Sequence, residues 1–230
     1  KDKDADVARA AAGALGRIGT VQSNTILAAF AKSAPAELQN AVAEAQLTGA
    51  EMLVKDNKGN LAVPFLTALT TDEREFVRLG ALRGLAAAAP QDAVALVSKT
   101  LVGSDPVAAN FAAQIVAEYP GGDMTKPFAA AYASLPPAAQ ALLVRGLGDR
   151  KDAGAREVVV TALGSDDKAV KLAAATALGN VGNEAEVPAL SALIASGDAE
   201  LAVAARTALA NVDNKSFDEA IATAVGTSSG

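Results

Sequence analysis

The chain contains no cysteine, no histidine and no tryptophan, and aromatic residues make up only 3% of its 230 residues. Without cysteine there can be no disulfide bond, no thiol nucleophile and no thiolate metal ligand. Without histidine the chain lacks the commonest general base at neutral pH and the commonest ligand of transition metals. The two absences exclude the usual catalytic chemistries, and they predict no catalytic residue, no metal site and no cofactor.

Positive charge is also scarce. Twenty lysines and arginines stand against 26 acidic residues, which gives a net charge of −6, and no basic run occurs. Proteins that bind nucleic acid neutralise phosphates with clustered lysine and arginine, so nucleic acid is not a predicted partner. No apolar stretch reaches the roughly 18–20 residues that a membrane-spanning helix needs, so no membrane span is predicted.

What the sequence has in abundance is alanine, which fills about a quarter of the chain. Alanine is the best helix former, and its small side chain lets neighbouring helices approach closely. A β-sandwich would be richer in valine, isoleucine, threonine and aromatic residues. The composition therefore predicts an all-α protein with tight contacts between helices.

The sequence repeats itself. Residues 7–19 and 170–182 carry alanines at four matching positions, followed by the same Leu-Gly pair and the same closing glycine, and residues 201–212 carry a third copy of the alanine pattern. One apolar position can be followed through the whole chain and defines a central column: Leu15, Leu47, Leu85, Val116, Leu147, Leu178 and Leu209. From Leu85 onward every step is 31 residues, which indicates a periodic array of helical hairpins.

Helical spacing of apolar residues and the positions of glycine, proline and aspartate predict where each helix lies. The array begins with a second helix at 5–18 and ends with a first helix at 216–225. The hairpins between them are predicted at 23–33 with 35–54, 60–70 with 73–88, 91–102 with 105–118, 123–134 with 136–148, 153–163 with 167–181, and 184–195 with 198–212. Residues 55–59 are predicted to be a polar insertion that lengthens one loop.

We thus expect one array of about seven hairpins over residues 1–225, incomplete at both ends, followed by a flexible tail at 226–230. Because the first residue is Lys1 and both ends are half-units, the chain is interpreted as a processed or truncated piece of a longer protein. Flanking domains of that longer chain are expected partners. The compartment stays open between bacterial cytoplasm and export.

The repeat resembles the HEAT family, in a short bacterial form similar to the phycobilisome-lyase type. The resemblance rests on Asp-x-x-x-x-Val-Arg at residues 72–78, on Val170-Lys171, and on the Ala-Ala-x-x-Ala-Leu-Gly cores. It implies an α-solenoid, a right-handed superhelix of antiparallel helix pairs in which the second helices line the concave face. Arg78 and Lys171 occupy the family's basic position, where a base either binds a ligand or pairs with the acid of a nearby turn.

Two residues before the central column lies a row that is polar from the third unit onward. Its members are Arg83, Gln114, Arg145, Thr176 and Thr207. Repetition on the second helices turns the row into a ladder, which either binds an extended partner or is simply a solvated helix face. The candidate partner-binding residues are Arg78, Arg83, Asn110, Gln114, Arg145 and Lys171.

The aspartates of the turns, at 72, 105, 166 and 198, are interpreted as N-caps of second helices rather than as a row of cation ligands. The predicted function is a non-catalytic scaffold that binds a partner protein or peptide along the second helices. The alternatives are an accessory module of a larger enzyme, a bilin-lyase-like subunit, or a structural spacer without a ligand.

Overall fold

The computed structural model describes residues 4–211, and this part of the chain is all-α: it holds 13 α-helices and six short 3-10 helices and no strand. The predicted first helix at 216–225 and the tail at 226–230 lie outside the described residues. The α-helices are α1 Ala5–Ile18, α2 Val21–Ala31, α3 Gln39–Lys55, α4 Gly59–Leu69, α5 Glu75–Ala88, α6 Ala93–Leu101, α7 Pro106–Glu118, α8 Thr125–Ala130, α9 Pro137–Asp149, α10 Arg156–Leu163, α11 Lys168–Val181, α12 Val187–Ala195 and α13 Ala199–Asn211.

Each predicted helix within the described residues is present, most with ends within about three residues of those expected. The largest difference is that several predicted starts are 3-10 turns, as at Ala153–Ala155 before α10 and Glu184–Glu186 before α12. The expected long loop at 55–59 is wrong. Asn57 takes a left-handed conformation (φ 59°), which allows a tight turn between α3 and α4, and the added length lies in α3, with 17 residues.

Aspartates cap several second helices, as predicted, but two of the four aspartates predicted as caps do not have this role. Asp105 caps α7 and Asp198 accepts from the amides of Glu200 and Leu201 at the start of α13. The cap of α11 is Asp167 rather than Asp166, because its carboxylate accepts from the amides two and three residues ahead. Asp72 lies too far ahead of α5 to cap it and binds the backbone and side chain of Arg74 instead.

Contacts between α-carbons divide the chain into two compact units, Lys1–Leu96 and Val97–Gly230. In the first unit α3 packs against α1, α2, α4 and α5, so it occupies the centre of the unit. Its buried core is made of aliphatic side chains from all these helices: Ala12, Leu27, Val42, Leu53, Leu66 and Val77. Burial of such residues supplies most of the stability of a small helical unit.

In the second unit the second helices stack side by side, α9 on α7, α11 on α9 and α13 on α11, and α10 and α12 pack against the second helices that follow them. Val116, Leu147 and Leu178 of the central column are completely buried at the same position of three successive second helices, α7, α9 and α11. Large side chains of the first helices, Phe128 and Leu190, complete the core. The 31-residue spacing thus marks the side chains by which α7, α9 and α11 are buried in the core.

The glycine that follows the central leucine allows the close stacking of second helices. A Cβ on Gly148 would lie 2.5 Å from the Cβ of Ala177 on the next helix, and one on Gly16 would lie 2.7 Å from the carbonyl oxygen of Ala45. Any side chain at these positions would push the helices apart. Gly16 and Gly148 are therefore packing residues.

A polar cluster links consecutive repeats of the second unit. Thr125, at 1% exposure, donates to Asp152 Oδ2 at 2.5 Å and accepts from Arg150 Nε at 2.6 Å. The same guanidinium donates to the carbonyls of Val116 (3.0 Å), Tyr119 (2.5 Å) and Gly121, and so satisfies carbonyl groups at the end of α7. One arginine therefore joins the end of one second helix to the next repeat.

Candidate functional site

The polar row predicted from the sequence lies on the exposed faces of the second helices. In the second unit Gln114, Arg145, Thr176 and Thr207 are all exposed and occupy equivalent positions on α7, α9, α11 and α13. We call these four residues the second-helix row. In the first unit Arg83 is exposed on α5.

Two of the predicted site residues are brought together across a repeat. Arg145 Nη2 donates to Asn110 Oδ1 at 2.9 Å, and Asn110 Nδ2 donates to the carbonyl of Pro106 at 2.7 Å. On the same helix as Asn110, Gln114 Nε2 donates to Glu118 Oε1 at 2.7 Å. The guanidinium of Arg145 is thus positioned by an amide oxygen, which does not neutralise its charge.

The two threonines of the row have the same local geometry. Thr176 Oγ1 donates to the carbonyl of Leu172 and Thr207 Oγ1 to that of Val203, each at 3.0 Å. The hydroxyl proton is therefore used within each helix, and the oxygen's lone pairs can accept a hydrogen bond from a partner.

A second polar column lies one helical turn beyond the row and is not among the residues predicted from the sequence. It consists of exposed residues at 31-residue spacing that change from acidic to amide side chains: Glu118, Asp149, Asn180 and Asn211. The signal that could have revealed it was the same period applied to positions four residues after the row, since these share a helix face. Amides can both donate to and accept from a peptide backbone.

Two grooves of the same construction lie between these helices. One has a volume of about 290 Å³ and runs between α9 and α11, lined by Arg145, Asp149, Thr176 and Asn180. The other has a volume of about 640 Å³ and runs between α11 and α13, lined by Thr176, Asn180, Thr207 and Asn211. Leu172 lines both, and each groove has alanines along its floor. The face therefore repeats with the same register as the sequence.

The other two predicted site residues, Arg78 and Lys171, lie near the turns, where the bases one helical turn earlier, Arg74 and Lys168, form ion pairs. Arg78 Nη1 donates to the carbonyls of Asp72 (3.0 Å) and Glu73 (2.9 Å), whereas the ion pair to Asp72 Oδ2 comes from Arg74 at 2.6 Å. The hydrogen bond from Arg74 lowers the pKa of Asp72. Both side chains thus serve the turn before α5.

Lys168, rather than Lys171, pairs with the acids of the next turn. Its Nζ lies 2.8 Å from Asp198 Oδ2 and 2.6 Å from Glu200 Oε2. The hydrogen bond to Asp198 is the main cause that raises the pKa of Lys168. Lys171 is half-buried, and within residues 4–211 its side chain has neither an ion pair nor a hydrogen bond.

Among residues 4–211 no group of three or more acidic side chains is arranged to hold a metal ion. No helix in that range combines the length and the hydropathy needed to cross a membrane. The row, the column and the two grooves of the second unit can donate and accept hydrogen bonds and together include one arginine and three carboxylates beside apolar linings.

Comparison with known proteins agrees with this architecture. The model of the family of HEAT repeats matches residues 125–210, which span α8 to α13. The fold defines a helical-repeat protein, and residues 125–210 are similar to HEAT repeats. The match is to HEAT repeats in general and not to the phycobilisome-lyase type in particular. No curated protein matches the sequence.

Among solved structures, human deoxyhypusine hydroxylase in complex with glycerol is 14% identical, with 94% of this chain and 82% of that chain covered and a TM-score of 0.43. An engineered protein, a target of the Northeast Structural Genomics Consortium, is 22% identical, with 92% of each chain covered and a TM-score of 0.33.

Proposed function

We propose that this protein is a non-catalytic scaffold that binds a protein or peptide partner on the exposed face of its second helices. The observation that carries the proposal is the pair of grooves on either side of α11, which have equivalent linings one repeat apart. A surface that repeats in one direction suits a partner that also repeats in one direction, which a polypeptide backbone does.

The groups on this face suit a polypeptide better than a nucleic acid. Its charged residues are Arg145, Asp149, Glu118 and the ion-paired Glu200, so acidic charge prevails and phosphates would be repelled. The amides of Asn180 and Asn211 can meet peptide N–H and C=O groups. The alanine floors and Leu172 offer apolar contacts for side chains between those hydrogen bonds.

The absence of catalysis is part of the proposal and rests on the residue types. A chain without histidine and cysteine lacks the side chains that most often act as base or nucleophile at neutral pH. Threonine, asparagine and glutamine on the face provide hydrogen bonds without proton transfer.

The experiment uses one steric and one charge variant. Thr176 is exposed and lines both grooves, so Thr176→Arg blocks both, and Arg145→Glu reverses the row's only cation. Proteins captured from a lysate of the source organism by the wild-type chain are compared with those captured by each variant. We expect the partner to be lost at least about tenfold with Thr176→Arg.

Matched controls lie on first helices of the same unit: Thr161→Arg on α10 and Lys126→Glu on α8, both at exposed positions. These variants are expected to retain the partner, and circular dichroism must show all four folded. If Thr176→Arg and Arg145→Glu capture the same partner as the wild type, the binding face lies elsewhere and the proposal fails.

A further inference from the structure

A third groove lies on a different part of the second unit, between the α8 segment and α10. Its volume is about 520 Å³, within the range of small-molecule sites. Ala129, Ala133 and Val158 provide an apolar lining, and Lys126, Tyr132 and Glu157 provide the polar groups. The groove exists at this place because α8 ends after six residues and the chain continues as a 3-10 helix, Tyr132–Ser134.

Tyr132 lines this groove and has an unpaired hydroxyl group within residues 4–211. Its side chain is largely buried, since the residue is only 9% exposed, and its hydroxyl has no hydrogen-bond partner within residues 4–211. Buried tyrosine hydroxyls usually find a partner. The hydroxyl is not sealed in the protein, because in that range the only fully enclosed unpaired side-chain atom is Asn24 Oδ1. A residue that lines the groove therefore has a phenol donor that is not fully enclosed.

Lys126 and Glu157 place opposite charges at the same groove. They stand on α8 and α10, on the two sides of the groove, and both are exposed. Within the described part of the chain neither has an ion pair, and the two are not paired with each other. Elsewhere in the unit facing charges do pair across repeats, as Arg156 does with Glu186 at 2.6 Å. Opposite charges that face one groove without meeting are complementary to a ligand that carries both signs.

We propose that this groove binds a small zwitterion of the amino-acid class. The ligand's carboxylate accepts from the Lys126 ammonium and the Tyr132 hydroxyl, and its ammonium group donates to the Glu157 carboxylate. Its apolar side chain lies against Ala129, Ala133 and Val158. This site is independent of the partner-binding face on the second helices, because it is built from first helices.

A singly charged ligand would satisfy only one side of the groove. An anion alone would lie near the Glu157 carboxylate, and a cation alone would lie near the Lys126 ammonium, so like-charge repulsion would offset part of each attraction. The apolar lining disfavours a ligand that is charged all round, because it would lose water there without compensation. A zwitterion with an apolar side chain avoids both costs.

The test is calorimetric titration of the complete chain with L-leucine, L-leucinamide and N-acetyl-L-leucine. L-Leucinamide lacks the carboxylate and N-acetyl-L-leucine lacks the ammonium group. We expect L-leucine to bind with a dissociation constant on the order of 1 mM or lower and each analogue to bind at least about tenfold more weakly. No heat from L-leucine in the millimolar range, or equal binding of all three compounds, would overturn the proposal.

Variants locate the site. Lys126→Met and Glu157→Gln should weaken binding of L-leucine at least about tenfold, and Tyr132→Phe about threefold or more, since it removes only the hydroxyl. Lys55→Met and Glu51→Gln, exposed positions on α3, are the matched controls and should leave it unchanged. Binding that survives all three groove variants would place the ligand elsewhere. Thr176→Arg should leave L-leucine binding intact, so failure of one proposal is separable from failure of the other.

Discussion

The side-chain amide of Asn24 on α2 is buried against Gly49 on α3. Asn24 is 1% exposed, its Nδ2 donates to the carbonyl of Thr20 at 3.0 Å, and its Oδ1 has no hydrogen-bond partner within residues 4–211. A Cβ on Gly49 would lie 2.5 Å from that oxygen. The first unit thus combines an unsatisfied buried acceptor with a glycine in the middle of a helix, and each of these costs stability on its own.

This pair predicts a strong coupling between two substitutions. Gly49→Ala alone should lower the free energy of unfolding by about 1–3 kcal/mol, because the new methyl group overlaps the buried amide of Asn24. In the Asn24→Ala background the same change should be neutral or stabilise the protein by up to about 1 kcal/mol, because alanine is the better helix former. Urea denaturation of the four proteins of the cycle measures the coupling. Equal effects in both backgrounds would contradict the contact.

The central column and the second-helix row should differ sharply in their contribution to stability. Leu178 is completely buried, so Leu178→Ala should cost about 2–5 kcal/mol by leaving a cavity. Arg145 is exposed and bound only to a neutral amide oxygen, so Arg145→Ala should cost less than about 0.5 kcal/mol. Chemical denaturation of both variants checks this, and the reverse order would show that the column is assigned wrongly.

The polar cluster around Thr125 should contribute to the stability of the second unit. Thr125→Val keeps the shape of the side chain but removes the donor to Asp152 and the acceptor of Arg150, so we expect a loss of about 1–3 kcal/mol. The matched control is Thr25→Val, since Thr25 is exposed and bonds only to the carbonyl of Val21 in its own helix. That change should alter stability by less than about 0.5 kcal/mol. Similar melting temperatures for the two variants would mean that the cluster contributes little.

Glu186 should make stability depend on acid pH. Burial by itself raises the pKa of this carboxyl, but the hydrogen bonds from Arg156 and from the amide of Asn183 outweigh burial, so the folded-state pKa lies below its ordinary value of 4.5. A lowered folded pKa means that the carboxylate stabilises the protein above about pH 4.5, and that this contribution is lost as the pH falls through the folded pKa.

The variant Glu186→Gln cannot titrate at this position. It should therefore be less stable than the wild type near neutral pH, by about 1–3 kcal/mol, and the difference should shrink as the pH falls from about 6 to 3. Denaturation at a series of pH values measures this difference. Asp72, Asp152 and Asp198 also have lowered pKa values and remain in both proteins, so their acid sensitivity cancels. If the two proteins differ in free energy of unfolding by the same amount at every pH, the stabilising contact between Arg156 and Glu186 does not depend on the charge of Glu186.

Much of the architecture could be predicted because it repeats. The spacing of Val116, Leu147 and Leu178 located the buried side of α7, α9 and α11, and turn residues located the helix ends to within a few positions. The predictions that were wrong concern a helix cap and a turn, which depend on local backbone geometry. Asp166 and Asp167 are adjacent acids, and only the backbone geometry decides which one caps α11. The lengthening of α3 was mistaken for a loop because Asn57 can turn the chain within three residues.

The candidate site could be predicted only in part. The second-helix row followed from the period, but the column of Glu118, Asp149, Asn180 and Asn211 was overlooked, and nothing in the sequence indicated that grooves separate the second helices. The bond of Arg145 to Asn110 joins residues 35 positions apart, and that of Lys168 to Asp198 joins residues 30 positions apart. Which of several polar residues one repeat away is the partner depends on how the helices are rotated against each other.

By itself the sequence determined the all-α class, the 31-residue period and the exclusion of histidine and cysteine chemistry, because these depend on residue type and local spacing. Only the tertiary structure decided which charges pair and which stay open toward a groove. Arg74 and Lys168 bind acids of the turns, whereas Lys126 and Glu157 face one groove without meeting. The reason is that the free energy of a charged side chain depends on the distance to groups from other helices, and that distance is set by packing.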